Sequence, residues 1–405
     1  MHQTVREFFL RPNGYVTKSK FSMNNDHDSH LRISITCIRY LMLCAAKSLQ
    51  NEPPNIESWD SEHFEVYARY INERPFINYA LSHLKTHMDG CRQNPNISHF
   101  VLQLAERLIS SPAFFLLESW VSSNLNWTQT TSYEQSRAAD NFRNQTLHAA
   151  IRMRFPVVAE ALLRAGAQVE ARLQGKTPLI VSAERGDDMT IRLLIDWDAD
   201  KDAKDSNGGT ALHHAASNGR GSTIRMLVET LGADDEAKNN NGEMALHCAS
   251  SNGHDSTVRM FVETLGADKE AKTSKGETAL HSAAWNGHDS TIRMLVETLG
   301  ADREAKNNNG KTALHCAASN GHDSTVRMLV DPLGADKEAK NNNGGTALHY
   351  AASNGHDSTV RMLVETLGVD KEAKDSQGQT ALHFAAVHCH ESTVQLLANE
   401  LDANR

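Results

Sequence analysis

The sequence repeats itself on a fixed 34-residue grid, and this period constrains the fold more than any other feature. The residues of Ser251–Met260 recur unchanged at Ser319–Met328 and at Ser353–Met362, and those of Glu236–Gly242 recur at Glu304–Gly310. A period between about 20 and 50 residues predicts a solenoid, in which each unit buries its apolar face only against its neighbours. We therefore expect roughly two-thirds of the chain to form a repeat array. Such an array favours a binding surface over a catalytic pocket.

One unit, Lys311–Lys340, shows how each repeat begins. A short helix is predicted after Thr312, because Leu314, Ala317 and Ala318 follow the spacing that places residues on one helix face. Alanine at two of these positions lets neighbouring units approach closely. Gly321 ends the helix, since glycine adopts the left-handed conformation that a helix C-terminus requires.

The second half of the same unit predicts another helix and a turn. Asp323-Ser324 is expected to cap this helix with a side-chain oxygen. Val326, Leu329 and Val330 form its apolar stripe. The polar stretch Asp336–Gly344 indicates a hairpin finger rather than a third helix.

These motifs resemble the ankyrin repeat, whose pattern is G-x-T-P-L-H-x-A-A-x-x-G-H followed by a V-x-x-L-L helix and G-A-D. The anchor position precedes Ala-Leu-His at Thr210, Met244, Thr278, Thr312, Thr346 and Thr380. The family's proline is alanine in these units and survives only at Pro178. Each unit also carries one residue more than the usual 33, in the Glu-Thr-Leu-Gly stretch, so we expect a bulge or a longer last turn there. The resemblance implies an all-α ankyrin-repeat solenoid, built of helix pairs with β-hairpin fingers.

About eight helix pairs are predicted, and some depart from the pattern. They begin near Gln145, Thr177, Thr210, Met244, Thr278, Thr312, Thr346 and Thr380. The first and last are degenerate, as terminal repeats of a solenoid are. Arg154 and Cys389 replace the turn glycine, and Cys389 should strain its turn by about 1 kcal/mol. Asp331-Pro332 should kink its helix or end it early.

The segment before the repeats does not show the 34-residue period. Residues 1–127 are expected to form a small irregular helical domain, residues 128–141 a linker, and residues 142–405 the repeat domain. His2–Leu10 resembles the last helix of the winged-helix segment in fungal NACHT–ankyrin proteins, and Phe64–Tyr70 and Pro75–His87 resemble the helices that link their core to the repeats. This resemblance implies the back half of a signalling receptor of the STAND NTPase class. No G-x-x-x-x-G-K-[ST] phosphate loop occurs in the sequence, so its own nucleotide site is absent.

Composition and charge limit the classes of partner and the compartment that we expect for this chain. The net charge of −9 is spread along the chain without a basic stripe, which argues against nucleic acid. The apolar stretch Ile33–Ala46 is too short to span a membrane and contains Arg39, and the N-terminus shows no signal peptide. Cys248 and Cys316 lie within predicted first helices, which favours reduced thiols inside a cell. We expect a monomer in the cytoplasm, with the nucleus as the alternative compartment.

Catalytic and metal sites are not predicted. The histidine of the Ala-Leu-His anchor, at His213, His247, His281, His315, His349 and His383, recurs too often for one active site. The resemblance implies that it bridges adjacent repeats by hydrogen bonds. His388-Cys389-His390 lacks a fourth ligand for zinc. No nucleophile elbow, H-E-x-x-H helix or dinucleotide glycine motif occurs, so we expect neither an enzyme nor a cofactor.

The resemblance places partner binding on the concave side, at the fingers and the ends of the first helices. The candidate residues are Lys238, Asn240, Asn241, Ser251, Asn252, Lys272, Ser274, Lys275, Trp285, Asn286, Asn308, Lys311, Ser319 and Asn320. Trp285 stands where four other repeats have serine. It is either a binding hot spot or a ring that fills a gap against a neighbouring repeat. The predicted function is protein binding, by a stand-alone adaptor or by the sensor half of a truncated NACHT-type receptor.

Overall fold

The computed structural model describes residues 139–152 and 154–400, together with Cys37. The expectations for residues 1–127 lie outside this part of the chain. The described residues divide into two units, residues 139–173 with 192–199, and residues 174–191 with 200–400. The sixteen helices of this part are α1 Ala139–Arg152, α2 Pro156–Arg164, α3 Pro178–Arg185, α4 Asp188–Asp196, α5 Ala211–Ser217, α6 Gly221–Arg225, α7 Ala245–Ser251, α8 Asp255–Arg259, α9 Ala279–Trp285, α10 Asp289–Arg293, α11 Ala313–Ser319, α12 Asp323–Val330, α13 Ala347–Ser353, α14 Asp357–Arg361, α15 Ala381–Val387 and α16 Glu391–Gln395.

The first unit contains the first helix pair, α1 and α2. Helix α1 begins at Ala139, ahead of the expected domain start at residue 142. Leu147 and Ile151 of α1 are fully buried, as is Val158 of α2, so the pair has an apolar seam. The ring of His148 lies 2.7 Å from the carbonyl oxygen of Ala171, and burial lowers the pKa of His148 to about 4.

The second unit is the repeat array, and its first helices are held by the anchor histidine as the resemblance implies. In α11, Nδ1 of His315 accepts from the backbone N–H of Thr312 at 3.1 Å. Its Nε2–H therefore points to the next repeat and donates to the carbonyl of Gly345 at 3.1 Å. Burial lowers the pKa of His315 to about 4, so the ring is neutral near pH 7.

The same bridge recurs along the array. His213, His247, His281 and His349 bond the following repeat in the same way, and burial lowers the pKa of each. These histidines are structural links between repeats. His383, in α15, keeps the bond to Thr380 but is exposed at the end of the described array.

The second helices begin differently from the prediction. Asp323 does not cap α12 with its side chain, because the cap position belongs to His322 and Asp323 is already the first helical residue. Its carboxylate instead accepts from the hydroxyl of Thr359 in the next repeat. The predicted cap is therefore wrong, and the aspartate links neighbouring repeats. Met328 is also more deeply buried than the predicted stripe residue Val330.

In five of the units the extra residue forms the expected bulge. After α6 the chain continues as a π turn over Met226–Thr230, where the N–H of Leu231 bonds the carbonyl of Met226 five residues back at 3.0 Å. Equivalent π turns are Met260–Thr264, Met294–Thr298, Met362–Thr366 and Leu396–Glu400. A π turn accommodates one inserted residue without disturbing the rest of a helix. In α12 the helix ends at Val330, before Pro332, which confirms the predicted early termination.

The turn between the two helices of a repeat needs glycine for two reasons. Gly321 has φ of 69°, and a Cβ there would meet Nδ1 of His356 at 2.7 Å. Nε2–H of His356, in the next repeat, donates to the carbonyl of Ser319 beside the same turn, at 3.1 Å. Arg154 and Cys389 adopt φ of 52° and 60° at the corresponding turns, so both hold the left-handed conformation without glycine.

The fingers are tight turns, and no strand is present in them among the described residues. Within one finger the N–H of Gly242 bonds the carbonyl of Asn239 at 2.9 Å, and the N–H of Asn239 bonds the carbonyl of Glu243 at 3.0 Å. Neighbouring fingers are joined by a single backbone bond, from Asn240 to Asn207 at 2.9 Å. One bond per repeat aligns the fingers without forming the two-stranded ribbon that a hairpin implies.

Candidate protein-binding face

All the candidate residues are accessible to solvent. Ten are exposed, namely Lys238, Asn240, Asn241, Asn252, Lys272, Ser274, Lys275, Trp285, Asn286 and Asn308. Ser251, Lys311, Ser319 and Asn320 are half-buried. The finger residues and the helix-end residues occupy fixed registers of the repeat. Most of these side chains therefore recur in rows that cross the array, and Ser274, Lys275 and Trp285 are exceptions.

One such row consists of lysines and is fastened to the backbone. Nζ of Lys238 lies 3.4 Å from the carbonyl oxygen of Lys272, and Nζ of Lys272 lies 3.0 Å from that of Lys306. Nζ of Lys306 in turn donates to the carbonyl of Lys340 at 3.0 Å. This bond uses one of the three ammonium hydrogens and fixes the position of the charge. Sequence reasoning found the exposed lysines but missed the bond that holds them.

Two finger asparagines, Asn240 and Asn308, also use their side-chain amides for hydrogen bonds between neighbouring fingers. The side-chain amide of Asn308 donates to the carbonyl of Ser274 in the previous finger at 3.0 Å, and that of Asn240 donates to Ser206 at 3.2 Å. Their amide oxygens remain available. Among the described residues, neither Asn241 nor Lys275 makes a side-chain hydrogen bond. These two side chains are free to bind a partner.

The helix-end asparagines close their own helices. Asn252 donates its amide to the carbonyl of Cys248 at 2.8 Å, and Asn320 donates to that of Cys316 at 3.0 Å. Asn286 donates to Ser282 and to the hydroxyl of Ser251, both at 3.0 Å. Nine of the fourteen predicted binding residues thus take part in a side-chain hydrogen bond within the fold.

Trp285 is the last residue of α9 and is 48% exposed. Its carbonyl accepts from Nε2–H of His322 at 2.9 Å, so its backbone is fixed by the next repeat. The neighbours at the same register are Ser251 and Ser319. Val387, at this register in the last repeat, is 71% exposed. The tryptophan therefore presents an apolar surface on an otherwise polar row.

The charge at the finger bases changes along the array. Glu243 and Glu277 occupy the same register in two successive repeats, and Lys311 occupies that register in the next repeat. Nζ of Lys311 lies 3.9 Å above the ring of Tyr350, a cation–π contact that holds it near α13. This register is therefore acidic in two successive repeats and carries no acidic residue in the three that follow.

In the part of the chain that the structure describes, the cysteine and histidine side chains show no reactive arrangement. Burial raises the pKa of Cys248 and of Cys316 to about 12, which keeps both as unreactive thiols. In the His388-Cys389-His390 segment, where no metal site was predicted, Nε2 of His390 lies 3.0 Å from the carbonyl oxygen of Ser353. Among the described residues, no group of three or more potential metal ligands comes together.

Nothing in the described part of the chain is built to cross a bilayer, because none of its helices is both long and apolar enough.

Comparisons with known proteins bear on the repeat array. The family model for ankyrin repeats (3 copies) matches residues 147–239, 190–273, 231–307, 265–341 and 333–405. Mouse (Mus musculus) ankyrin repeat and SOCS box protein 6 is 30% identical over 142 residues, which are 33% of this chain and 31% of that protein. Inversin of Danio rerio is 40% identical over 65 residues, 16% of this chain and 6% of that protein. The chain therefore spans about a third of the length of the first relative and much less of the second.

Proposed function

Because this chain belongs to the ankyrin-repeat family, we propose that it binds a protein partner through the face formed by its finger turns and first-helix ends. Ankyrin repeats are a general protein-interaction module. The repeated hydrogen bonds between fingers, histidines and second helices keep this face rigid. A preformed face binds at a low entropic cost, since few groups become ordered on binding.

The exposure of Trp285 indicates which residues of this face are proposed to contact the partner. Binding hot spots are enriched in tryptophan and lie near the centre of an interface. Trp285 is 48% exposed and lies in the fifth of the eight helix pairs, with polar serines on either side in its row. Asn241 and Lys275 offer free polar groups in neighbouring fingers. A partner that covers these residues would bury one aromatic anchor within a polar rim.

Affinity capture with substituted proteins tests this assignment. We expect Trp285→Ser to weaken capture of the specific partner by about 2 kcal/mol or more, because it deletes the anchor. Val387→Ser is the matched control, since it removes an exposed apolar side chain at the same register in the last repeat. Both variants should unfold at the same temperature as the wild type. Equal capture by the wild type and the Trp285→Ser variant would contradict the role of this residue.

The proposed setting is a cytoplasmic adaptor that works by surface complementarity. The alternative setting is the sensor half of a truncated NACHT-type receptor, which rests on the resemblance of His2–Leu10, Phe64–Tyr70 and Pro75–His87 to the fungal proteins. An immunoblot of the native protein, combined with mapping of the transcript's 5′ end, distinguishes the two. A product near 45 kDa supports the adaptor. A much larger product that carries a phosphate loop supports the receptor.

A further inference from the structure

Lys238, Lys272, Lys306 and Lys340 form a lysine row, although the sequence was expected to contain no basic stripe and the net charge of the chain is −9. All four side chains are exposed. No carboxylate lies within 4.0 Å of their ammonium groups in the described part of the chain. Each ammonium group is instead held by a carbonyl of the following repeat and retains two free N–H donors. The row is therefore a line of fixed, unpaired positive charges.

The spacing of these charges follows from the packing of the first helices. Helices α7, α9, α11 and α13 pack side by side, and each belongs to the repeat of one lysine of the row. Packed helices lie about 8–10 Å apart, so consecutive ammonium groups are separated by about 9 Å. Each lysine bonds the residue at its own register in the next repeat, which keeps this separation uniform.

A partner that neutralises the whole row needs acidic groups at the same interval. An extended peptide in the polyproline II conformation rises about 3.1 Å per residue and has three residues per turn. Every third side chain therefore lies on one side of it, about 9.3 Å from the next. A strand-like peptide, with its side chains on alternating faces, would present same-face groups only about 6.6 Å apart. The polyproline II geometry fits the row and the strand geometry does not.

We propose that the lysine row binds an extended acidic peptide segment that carries a carboxylate at every third residue. This inference rests on the proposed protein-binding function and names the chemistry of the partner. The fixed ammonium groups are pre-organised, so little side-chain entropy is lost when each carboxylate binds. The peptide would run across the repeats, along the direction of the row.

A nucleic-acid strand is the less suitable polyanion. Glu236, Glu270 and Glu304 stand two residues before the lysines of the row, and the whole chain is acidic. Single-stranded nucleic acid is typically bound by a basic groove with stacked aromatic side chains. The fingers that carry the row contain no aromatic residue between Asp234 and Glu243 or between Asp268 and Glu277.

The experiment measures binding of synthetic peptides to the full chain by fluorescence anisotropy at low and at physiological salt. The probe is a labelled peptide of five Glu-Pro-Pro units. The comparison peptide has the same composition with its glutamates consecutive, and a third peptide has Gln in place of Glu. Labelled single-stranded DNA is titrated in parallel.

Substituted proteins locate the site. The test variant combines Lys238→Gln, Lys272→Gln and Lys306→Gln, and a second variant has arginine at the same three positions to retain the charge. The matched control removes three exposed arginines from the second helices, by Arg259→Gln, Arg293→Gln and Arg327→Gln. Circular dichroism establishes that each variant is folded.

The proposal predicts that the spaced peptide binds more tightly than the consecutive one and that its affinity falls with salt. The triple lysine-to-glutamine variant should bind the spaced peptide about tenfold more weakly than the wild type. The variant with arginine in place of the three lysines, and the control in which three arginines of the second helices are replaced by glutamine, should both retain binding. Equal affinity for the spaced and consecutive peptides would overturn the proposal, as would equal loss in the matched control or tighter binding of DNA. If none of the peptides binds while capture of a partner still depends on Trp285, the acidic-peptide inference is refuted and the proposed protein-binding function is not.

Discussion

Gly221→Asp should stabilise the protein, because it restores a link that one repeat lacks. In other repeats the threonine hydroxyl of a second helix donates to an aspartate of the preceding repeat, as Thr291 does to Asp255. The residue at this register before Thr257 is Gly221. The hydroxyl of Thr257 is buried and has no hydrogen-bond partner among the described residues. An aspartate at position 221 would supply the missing acceptor.

The gain in the free energy of unfolding has two separable parts. Replacing glycine within a helix stabilises by about 0.5–1 kcal/mol. A buried hydroxyl that gains a charged acceptor contributes about 1.5–3 kcal/mol. A Cβ at Gly221 meets no atom within 4 Å, so no clash offsets these gains. We expect Gly221→Asp to stabilise by about 2–4 kcal/mol and Gly221→Ala by less than about 1 kcal/mol.

Urea unfolding followed by circular dichroism measures both variants. The same two substitutions are then made in a Thr257→Val background, which removes the donor. The advantage of aspartate over alanine should disappear there, because no hydroxyl remains to be satisfied. If aspartate and alanine stabilise equally with Thr257 present, the hydrogen-bond reasoning is refuted.

Two further predictions concern the links between repeats. The folded pKa of His315, about 4, lies below its ordinary value of 6.5, so its contribution to stability is complete above pH 6.5 and is lost as the pH falls towards 4. The stability difference between the wild type and His315→Gln in urea should shrink by about 1 kcal/mol between neutral pH and pH 5.5, and a constant difference would contradict the assigned pKa. Gly253→Ala should destabilise more than Gly266→Ala, because both have positive φ but only the first Cβ meets a side chain, His288 Nδ1 at 2.7 Å. Equal melting temperatures of the Gly253→Ala and Gly266→Ala variants would show that the contact with His288 does not destabilise the protein.

The 34-residue period was sufficient to predict the helix pairs, because each pair is encoded within one unit. The histidine bridges were expected only from the resemblance to the ankyrin repeat, since their partners lie about one repeat away, as Gly345 does for His315. The role of Asp323 was not predicted correctly. A helix-capping aspartate and a first-turn aspartate look alike in sequence, and the true partner, Thr359, lies 36 residues away. The recurrence of Asp and Thr at fixed registers was the signal that could have revealed this pair.

The candidate face shows a similar limit. Exposed lysines and asparagines in a polar finger predict a binding surface, and their exposure is confirmed. Identical residues at the same register of adjacent repeats can also bond one another, as Lys272 does with Lys306. This second role depends on the stacking of repeats, which no single repeat reveals. Residues that break the repetition, such as Lys275 and Trp285, have no identical residue at their register with which to form such a bond.

Site-specific photo-crosslinking tests the central claim most directly. A photoreactive amino acid is placed at Asn241, at Lys275 or at Trp285 on the candidate face, and at Arg259 or Arg293 on the second helices for comparison. The full chain is then irradiated in cells, and crosslinked proteins are identified by mass spectrometry. Our account predicts that the three positions on the candidate face crosslink to the same protein and that the arginine positions do not. A specific crosslink from the arginine positions alone would place the partner on the second helices and contradict the account.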